Sequence, residues 1–477
     1  MHKNTNALVK AIRFATLTAF AAPSTVLAGG FALNEQSASA MGTANAGAAA
    51  NPENASIVIF NPAGMSQLSG TNISFGAAVL DIDAEAKPET IQVTRQVPGV
   101  PVDPSGNGGD IADAAILPSF YLTHEVNDRI DVGFGLHAPY GLAGDYERNF
   151  SGRYFADKTE LTAIAFTPSI ALNNGKGLSM GVGLNIMYID GRVTRFMDNS
   201  GTNQTSPNGA APNVTDEGYA DIEGDDIAVT FRVGFLYELN ESTQLGLTAQ
   251  TGTTVELKGD ATFTDVSVQG PTGTPFEGVA VPLDSTEPAL VPLAIPESIA
   301  VGIRHKLNDE ITLLAGATYS KWSRFSALDI YGRDASQPLT SQSPGGMPNQ
   351  LTHIPEEWKN TWQLNVGGIW QATPEWAFKA GYAFDQSPVD EFVTARIPST
   401  DRHWLTLGTQ WKHAQSGWTV DAAVGTLLFK DDPKVSDRSY VLTPNGTIDN
   451  PTDPFSSYEA EYDVSAWGAA IEFSKAF

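Results

Sequence analysis

The sequence predicts an all-β fold: a 14-stranded antiparallel transmembrane β-barrel plugged by a small N-terminal hatch. Three observations predict it. The apolar residues of the long C-terminal part recur with period two. The connections between the candidate strands alternate between short and long. A compact small-residue segment that fits neither pattern precedes the first strand.

The periodicity is clearest in two stretches. Ile311, Leu313, Ala315, Ala317 and Tyr319 fall on one face and Thr312, Gly316, Thr318 and Ser320 on the other, with Leu314 the exception. At the end of the chain, Trp467, Ala469, Ile471, Phe473 and Phe477 alternate with Ala466, Gly468, Ala470, Glu472 and Ser474. Apolar residues outside and small or polar ones inside suit a barrel whose outer face is wetted by lipid. Soluble sandwiches also alternate, so the connections must decide.

Fourteen candidate strands begin near Asn72, Leu117, Ile130, Thr159, Leu178, Asp226, Thr243, Pro292, Ile311, Lys359, Trp376, Arg402, Trp418 and Tyr458. Every second connection is a short turn: Asn127-Asp128, Asn173–Gly177, Asn240-Glu241, Asn308-Asp309, Thr373–Glu375 and His413–Gly417. This is Asn, Asp, Gly and Pro turn chemistry. The intervening connections are mostly long, such as Asp83–Ala115, Met197–Gly224, Asp265–Val291, Gly332–Glu357 and Lys430–Ser457. Such alternation is expected of an even-stranded barrel with both termini in the periplasm. Trp358, Trp370, Trp376, Trp411 and Trp418 stand at predicted strand ends, where indoles would lie at the headgroup level.

Ahead of the barrel, residues 1–28 read as a secretory signal: Lys3, Lys10 and Arg13 flank or precede an apolar run, and Val26-Leu27-Ala28 ends in a small residue. Residues 29–70 form the expected hatch and residues 71–477 the barrel. The hatch contains two acids, Glu35 and Glu53, no Lys or Arg, and mostly Ala, Gly, Ser and Asn, so it can pack densely without burying many charges. A barrel of fourteen strands encloses more space than its own side chains fill.

Composition excludes other classes. The 477 residues carry a formal charge of −26, and the signal would take three bases and no acid with it, so nucleic acid is not a partner. Charged residues are only 17% of the chain, and no cysteine is present, so an exported chain must find its stability without disulfides. Gly177-Leu178-Ser179-Met180-Gly181 matches the G-x-S-x-G pattern of a nucleophile elbow, the basis for a remote alternative, an outer-membrane lipid hydrolase using Ser179. That elbow requires a strand-to-helix turn, whereas here a turn leads into a strand. The seven histidines are scattered, and Asp103–Gly108 lacks the glutamate of a calcium loop, with Ala114 in its place. No catalytic residue, metal or cofactor is expected.

Several segments carry a family resemblance. NEQSASAMGTANAG followed by NASIVIFNPAGM, with its Asn61-Pro62-Ala63, is similar to the N-terminal hatch of the FadL-type outer-membrane transporters of long-chain fatty acids and other hydrophobic compounds. Further matching segments are Ala138–Leu142, Arg195-Phe196, Tyr237-Glu238-Leu239, Pro296-Glu297-Ser298, Trp322-Ser323-Arg324-Phe325, Phe384–Val389, and Ile397-Pro398 followed by Asp401–Leu405. The resemblance implies a 14-stranded barrel in the outer membrane of a Gram-negative bacterium, working as a monomer amid outer-membrane lipid. It implies passive uptake of hydrophobic small molecules: ligand lands among extracellular loops, enters a pocket against the hatch, and leaves sideways through the barrel wall when the hatch moves. Long-chain fatty acids are the expected ligands, with neutral hydrocarbons or monoaromatic compounds the alternative.

The resemblance also names residues. Phe31, Asn34 and Glu35 would meet ligand at the start of the hatch, Asn61, Pro62 and Ala63 would form its gating motif, and Arg195 and Lys359 would take a ligand's acid end. For both cations, pairing with a neighbouring loop acid is the alternative. The lateral opening is expected at Pro139, Tyr140 and Gly141, because Pro139 cannot donate to a ladder and Gly141 permits a bend. Equally, Pro139 could simply mark the strand's extracellular end.

Overall fold

The computed structural model describes residues 30–95, 97, 99, 101–103, 105–200, 217–269, 280–342, 347–439 and 456–477; the expected export signal lies outside them. Fourteen staves close into one antiparallel barrel. They are β1 (Thr71–Ala86), β2 (Ala115–Asn127), β3 (Ile130–Asp145), β4 (Lys158–Phe166 continued by Ser169–Asn173), β5 (Leu178–Asp198), β6 (Glu217–Asn240) and β7 (Thr243–Gln250 continued by Thr253–Gln269). The ring continues with β8 (Ala280–Ile295 and Ser298–Lys306), β9 (Ile311–Ser320 and Ala327–Gly332), β10 (Gln350–Pro355 and Thr361–Gln371), β11 (Trp376–Asp385), β12 (Arg402–Lys412), β13 (Trp418–Phe429) and β14 (Ser456–Ala476). β14 pairs with β1 from Asn72↔Ala476 to Ala86↔Tyr462, so no edge is left open there.

Three strands begin well before their apolar pattern suggests. β6 starts at Glu217 rather than Asp226, β8 at Ala280 rather than Pro292, and β10 at Gln350 rather than Lys359. In β6 and β8 the extra length is polar on its outward face, through residues such as Asp221 and Glu223, because it stands beyond the lipid belt. In the belt itself outward residues are apolar and exposed, with Leu407 at 63% and Val424 at 50%. A ring of aromatics marks the short-turn end: Phe75 packs on Phe473 and Trp418, and Trp376 on Trp411. Leu314, the exception to alternation, faces inward and is buried.

Four successive staves break at the same height. β7 breaks at Thr251-Gly252, β8 at Pro296-Glu297, β9 between Ser320 and Ala327, and β10 between Pro355 and Thr361. Register aligns these breaks, through Ser298↔Gln250, Ser298↔Ser320 and Ser320↔Thr361. Freed from the sheet's alternation, Trp322, Phe325 and Trp358 are buried. Trp358 is therefore no headgroup anchor: it is 2% exposed and lies inside the barrel.

Residues 30–70 fill the lumen as a plug of short turns: α1 (Ala38–Met41), a 3-10 turn (Ala48–Ala50), α2 (Ile57–Phe60) and a second 3-10 segment (Pro62–Gln67). Ser37 caps α1 by accepting from Ala40 N. The wall approaches this plug closely. A β-carbon on Gly246 would stand 1.9 Å from Ala49 O, and one on Gly234 2.0 Å from Asn61 Oδ1, so only glycine fits at either place.

Candidate functional site: a hatch tip between two cavities

The hatch tip adds itself to the edge of a bulged strand. β3 pairs with β4 up to His137↔Ala165, slips at Ala138-Pro139, and resumes at Tyr140↔Ala163. On its other edge the register with β2 ends at Phe120↔Leu136, although β2 stays paired with β1 as far as Ala115↔Leu80. The vacated edge is taken by the hatch: Leu33 N donates to Pro139 O (3.0 Å) and Gly141 N to Phe31 O (2.9 Å), with Ala32 bridging Tyr140. Pro139, Tyr140 and Gly141 thus lie within the strand, and the pairing irregularity surrounds them.

Phe31 is held by three aromatic rings from the aligned breaks and by Tyr140 of β3. Its ring centroid lies 4.8 Å from Trp322, 5.7 Å from Tyr140, 5.8 Å from Trp358 and 6.0 Å from Phe325. Most of these are edge-on, the arrangement that ring quadrupoles favour. Trp358 is fixed in turn by Nε1 donating to Glu356 Oε2 at 2.9 Å. Burial raises the Glu356 pKa to about 8, against the lowering effect of the indole bond, so the group is protonated at neutral pH.

Two cavities meet the hatch tip, one lined by Phe31 and the other by Ala32, Leu33 and Asn34. One, about 70 Å³, is lined by Phe31, Leu142, Leu161, Ile222, Leu257 and Leu293, among others, with Glu356 and Arg396 as its buried ionisable groups. Arg396 Nη1 donates to Lys158 O and Thr159 Oγ1 and Nη2 to Phe155 O and Thr194 O, while its Nε has no partner among the described residues. The other cavity, about 210 Å³, lies beside Pro139 and Tyr140 and is polar, with Asn34, His137, Asn185, Arg232 and Gln250 in its wall.

The expected site residues are distributed unevenly around this arrangement. Phe31 and Asn34 line the upper and lower cavities respectively, and Glu35 is buried just behind them. Arg195 lies near Arg396 and Asp437 and donates to Thr352 Oγ1 at 3.2 Å, but does not line the apolar cavity. Buried Asp437, whose pKa burial lifts to about 6, accepts from Ala395 N. Lys359 is half-exposed and pairs with Asp390 at 3.5 Å, the alternative foreseen for it. Arg396 was not singled out, although it directly precedes the matching Ile397-Pro398. Trp322 and Phe325 fall within a matching segment whose inward role no periodicity signals.

Asn61, Pro62 and Ala63 sit at the other end of the hatch. Asn61 Nδ2 donates to Ala49 O (2.6 Å) and Phe235 O (2.9 Å), and Oδ1 accepts from Ala63 N (3.1 Å). Pro62, without an amide hydrogen, opens the 3-10 segment where none is needed. Ser179 lies on β5, and its hydroxyl is bonded to Ser66 Oγ (2.7 Å); no strand-to-helix elbow is present there.

Comparison with known proteins places this architecture. A family model described as "Outer membrane protein transport protein (OMPP1/FadL/TodX)" matches residues 19–477. A "Long-chain fatty acid transport protein" of Escherichia coli O6:H1 is 24% identical over 94% of this chain and 94% of its own. Among solved structures, a Pseudomonas aeruginosa FadL homologue superposes with a TM-score of 0.77 at 22% identity, covering 94% of this chain and all of its own. The Pseudomonas putida toluene transporter TodX superposes with a TM-score of 0.63 at 15% identity, covering 94% and 99% of the two chains.

Proposed function

Because the chain belongs to the OMPP1/FadL/TodX family of outer-membrane transport proteins, we propose that it takes up long-chain fatty acids through its apolar cavity and releases them sideways at the β3 bulge. The observation that carries this reading is the double placement of one segment. Phe31 caps the apolar cavity with its side chain, and its backbone, with that of Leu33, fills the vacated edge of β3. A single withdrawal of residues 31–33 would therefore join the cavity to the wall.

The cavity favours an amphipathic acid over a neutral hydrocarbon because Arg396 stands in its wall, and no ion pair to its guanidinium is found among the described residues. A charged donor buried without an ion pair gains from a carboxylate. At about 70 Å³ the cavity holds only a few methylene groups, so entry itself requires the tip to move. Transport is then passive and needs no catalytic group. In this reading residues 1–28 direct export, 29–70 form the hatch and 71–477 the barrel.

A disulfide tether tests it. Ala32 and Tyr140 form a pair flanked by, rather than making, the two backbone hydrogen bonds. Such pairs hold their Cα atoms about 4.5 Å apart, within disulfide reach. The native chain has no cysteine to interfere. Ala32→Cys with Tyr140→Cys should reduce oleate uptake to that of cells lacking the protein, and a reductant should restore it. Uptake at the normal rate with the bond formed would refute exit at this site.

A further inference from the structure

Below Phe31, the polar cavity contains more bonding capacity than the protein uses. Four buried atoms in its wall have no hydrogen-bond partner among the described residues: His137 Nδ1, Asn45 Oδ1, Thr248 Oγ1 and Asn365 Oδ1. Buried polar atoms are nearly always satisfied, so such a cluster leaves the wall with bonding capacity that a polar guest could use once these side chains turn toward it.

The charge in that wall is also unbalanced. Arg232, on β6, donates from Nη2 to Gln250 Oε1 (2.5 Å) and from Nη1 to Phe60 O (3.5 Å), and its Nε has no partner among the described residues. The carboxylate lining the same cavity, Asp385, is already held by Arg402 at 2.6 Å. A guanidinium that lines a cavity with no carboxylate partner of its own among the described residues is a receptor for an anion.

Its neighbours tie it to the bulge. Gln250 Nε2 donates to Tyr140 OH (3.3 Å), and Gln250 Oε1 also accepts from Asn185 Nδ2 (2.9 Å). Asn185 Oδ1 accepts from Thr167 Oγ1 (3.0 Å), which contacts His137 Nε2 (3.2 Å). His137 and Tyr140 are the residues on either side of Ala138-Pro139. One hydrogen-bond network thus joins Arg232 to both flanks of the irregular strand.

We propose that this polar chamber is a carboxylate station, with Arg232 as its receptor, occupied by an amphipathic anion between the apolar cavity and the wall. The inference rests on the transport reading above, in that ligand must pass Phe31 to reach the chamber. A carboxylate on Arg232 would compete with Gln250 for the guanidinium and loosen the link from Gln250 to Tyr140. It would also avoid carrying a bare charge through the protein interior, which is strongly unfavourable. A neutral hydrocarbon would gain nothing from the site.

The experiment compares uptake of oleate with methyl oleate, which has the same chain but no charge, in cells making the full-length protein or its variants. Arg232→Gln should lower the ratio of oleate to methyl oleate uptake about tenfold, the loss of a charge-assisted bond. Arg232→Lys should recover most of that ratio, and heat-modifiable migration on gels would establish that each barrel has folded. An unchanged ratio, or a loss that Arg232→Lys fails to recover, would overturn the station. A second measurement does not depend on transport: crystals of the protein soaked in iodide should give an anomalous peak against the Arg232 guanidinium that Arg232→Gln abolishes. If wild-type cells take up neither ligand, the fatty-acid reading fails while the iodide peak still decides the station; absence of that peak would overturn it.

Discussion

The hatch is held at its base and at its tip by opposite chemistry. At the base, Glu472 on β14 accepts from Ser37 Oγ (2.6 Å), Ala38 N (3.0 Å) and Asn54 Nδ2 (2.5 Å). Buried Lys379 on β11 bridges Glu53 of the hatch (2.8 Å) and Asp421 of β13 (2.9 Å), and also donates to Ser39. Gln244 Nε2 and Asn365 Nδ2 donate to hatch carbonyls at Ala50 and at Ala44 and Asn45. At the tip, two backbone hydrogen bonds and a cage of rings do the holding. Directional, charged contacts lose much when displaced, whereas ring packing tolerates small shifts and can be replaced by another apolar surface. A hydrophobic ligand is such a surface, so it can exchange with the tip but not with the base.

Breaking the base should have the largest effect. Lys379→Met leaves buried Asp421 and half-buried Glu53 beside each other without their shared cation. Removing one member of a buried ionic network costs about 3–5 kcal/mol. Denaturant unfolding of the refolded protein should register that loss, and proteolysis should reach the hatch base. A variant as stable as wild type would mean the network is dispensable and would remove half of the contrast.

Next comes the chemistry of what the tip covers. Arg396→Gln should weaken oleate binding by about 1.5–3 kcal/mol, as expected for a hydrogen bond to a charged group, and binding of an alkane far less. Lys359→Ala should change oleate binding by less than about twofold, because a half-exposed cation already paired with Asp390 offers little. Equal losses for the two ligands in Arg396→Gln would assign that guanidinium to structure alone, through its four hydrogen bonds to neighbouring oxygens.

The two regions were not equally legible in the sequence. The barrel was read almost strand by strand because lipid outside and lumen inside impose period two, and short turns must carry Asn, Asp or Gly. That reading faltered above the membrane, where the starts of β6 and β8 lose the apolar face that reveals them. Composition pointed to a plug, and the Pro139 and Gly141 pair foretold irregular pairing in β3. The cage was hidden. Trp358 looked like an interfacial indole because periodicity cannot tell that β10 breaks between Pro355 and Thr361 and frees it from the sheet. The cations were legible as residue types but not as directions: Arg396 and Lys359 stand in similar polar loops, and only tertiary packing sends one inward and the other to Asp390.

The smallest effect expected is a pH dependence centred on the cage. Glu356 sits 2% exposed with a pKa raised by burial from the usual 4.5 to about 8. Between those two values the folded protein keeps a proton that the unfolded chain has released, so stability falls as pH rises through that window. Above pH 8 the group also becomes an anion within the same cavity as Arg396, where it competes for the guanidinium that a ligand carboxylate would use. Oleate binding should therefore weaken a few-fold between pH 7 and 9, with Trp358 emission changing over the same range. Glu356→Gln keeps an oxygen to accept from Trp358 Nε1 but cannot ionise, so its binding should be flat from pH 7 to 9. If wild type and Glu356→Gln lose affinity in parallel, the titration belongs elsewhere, and the ionisation of Glu356 has no part in holding the tip.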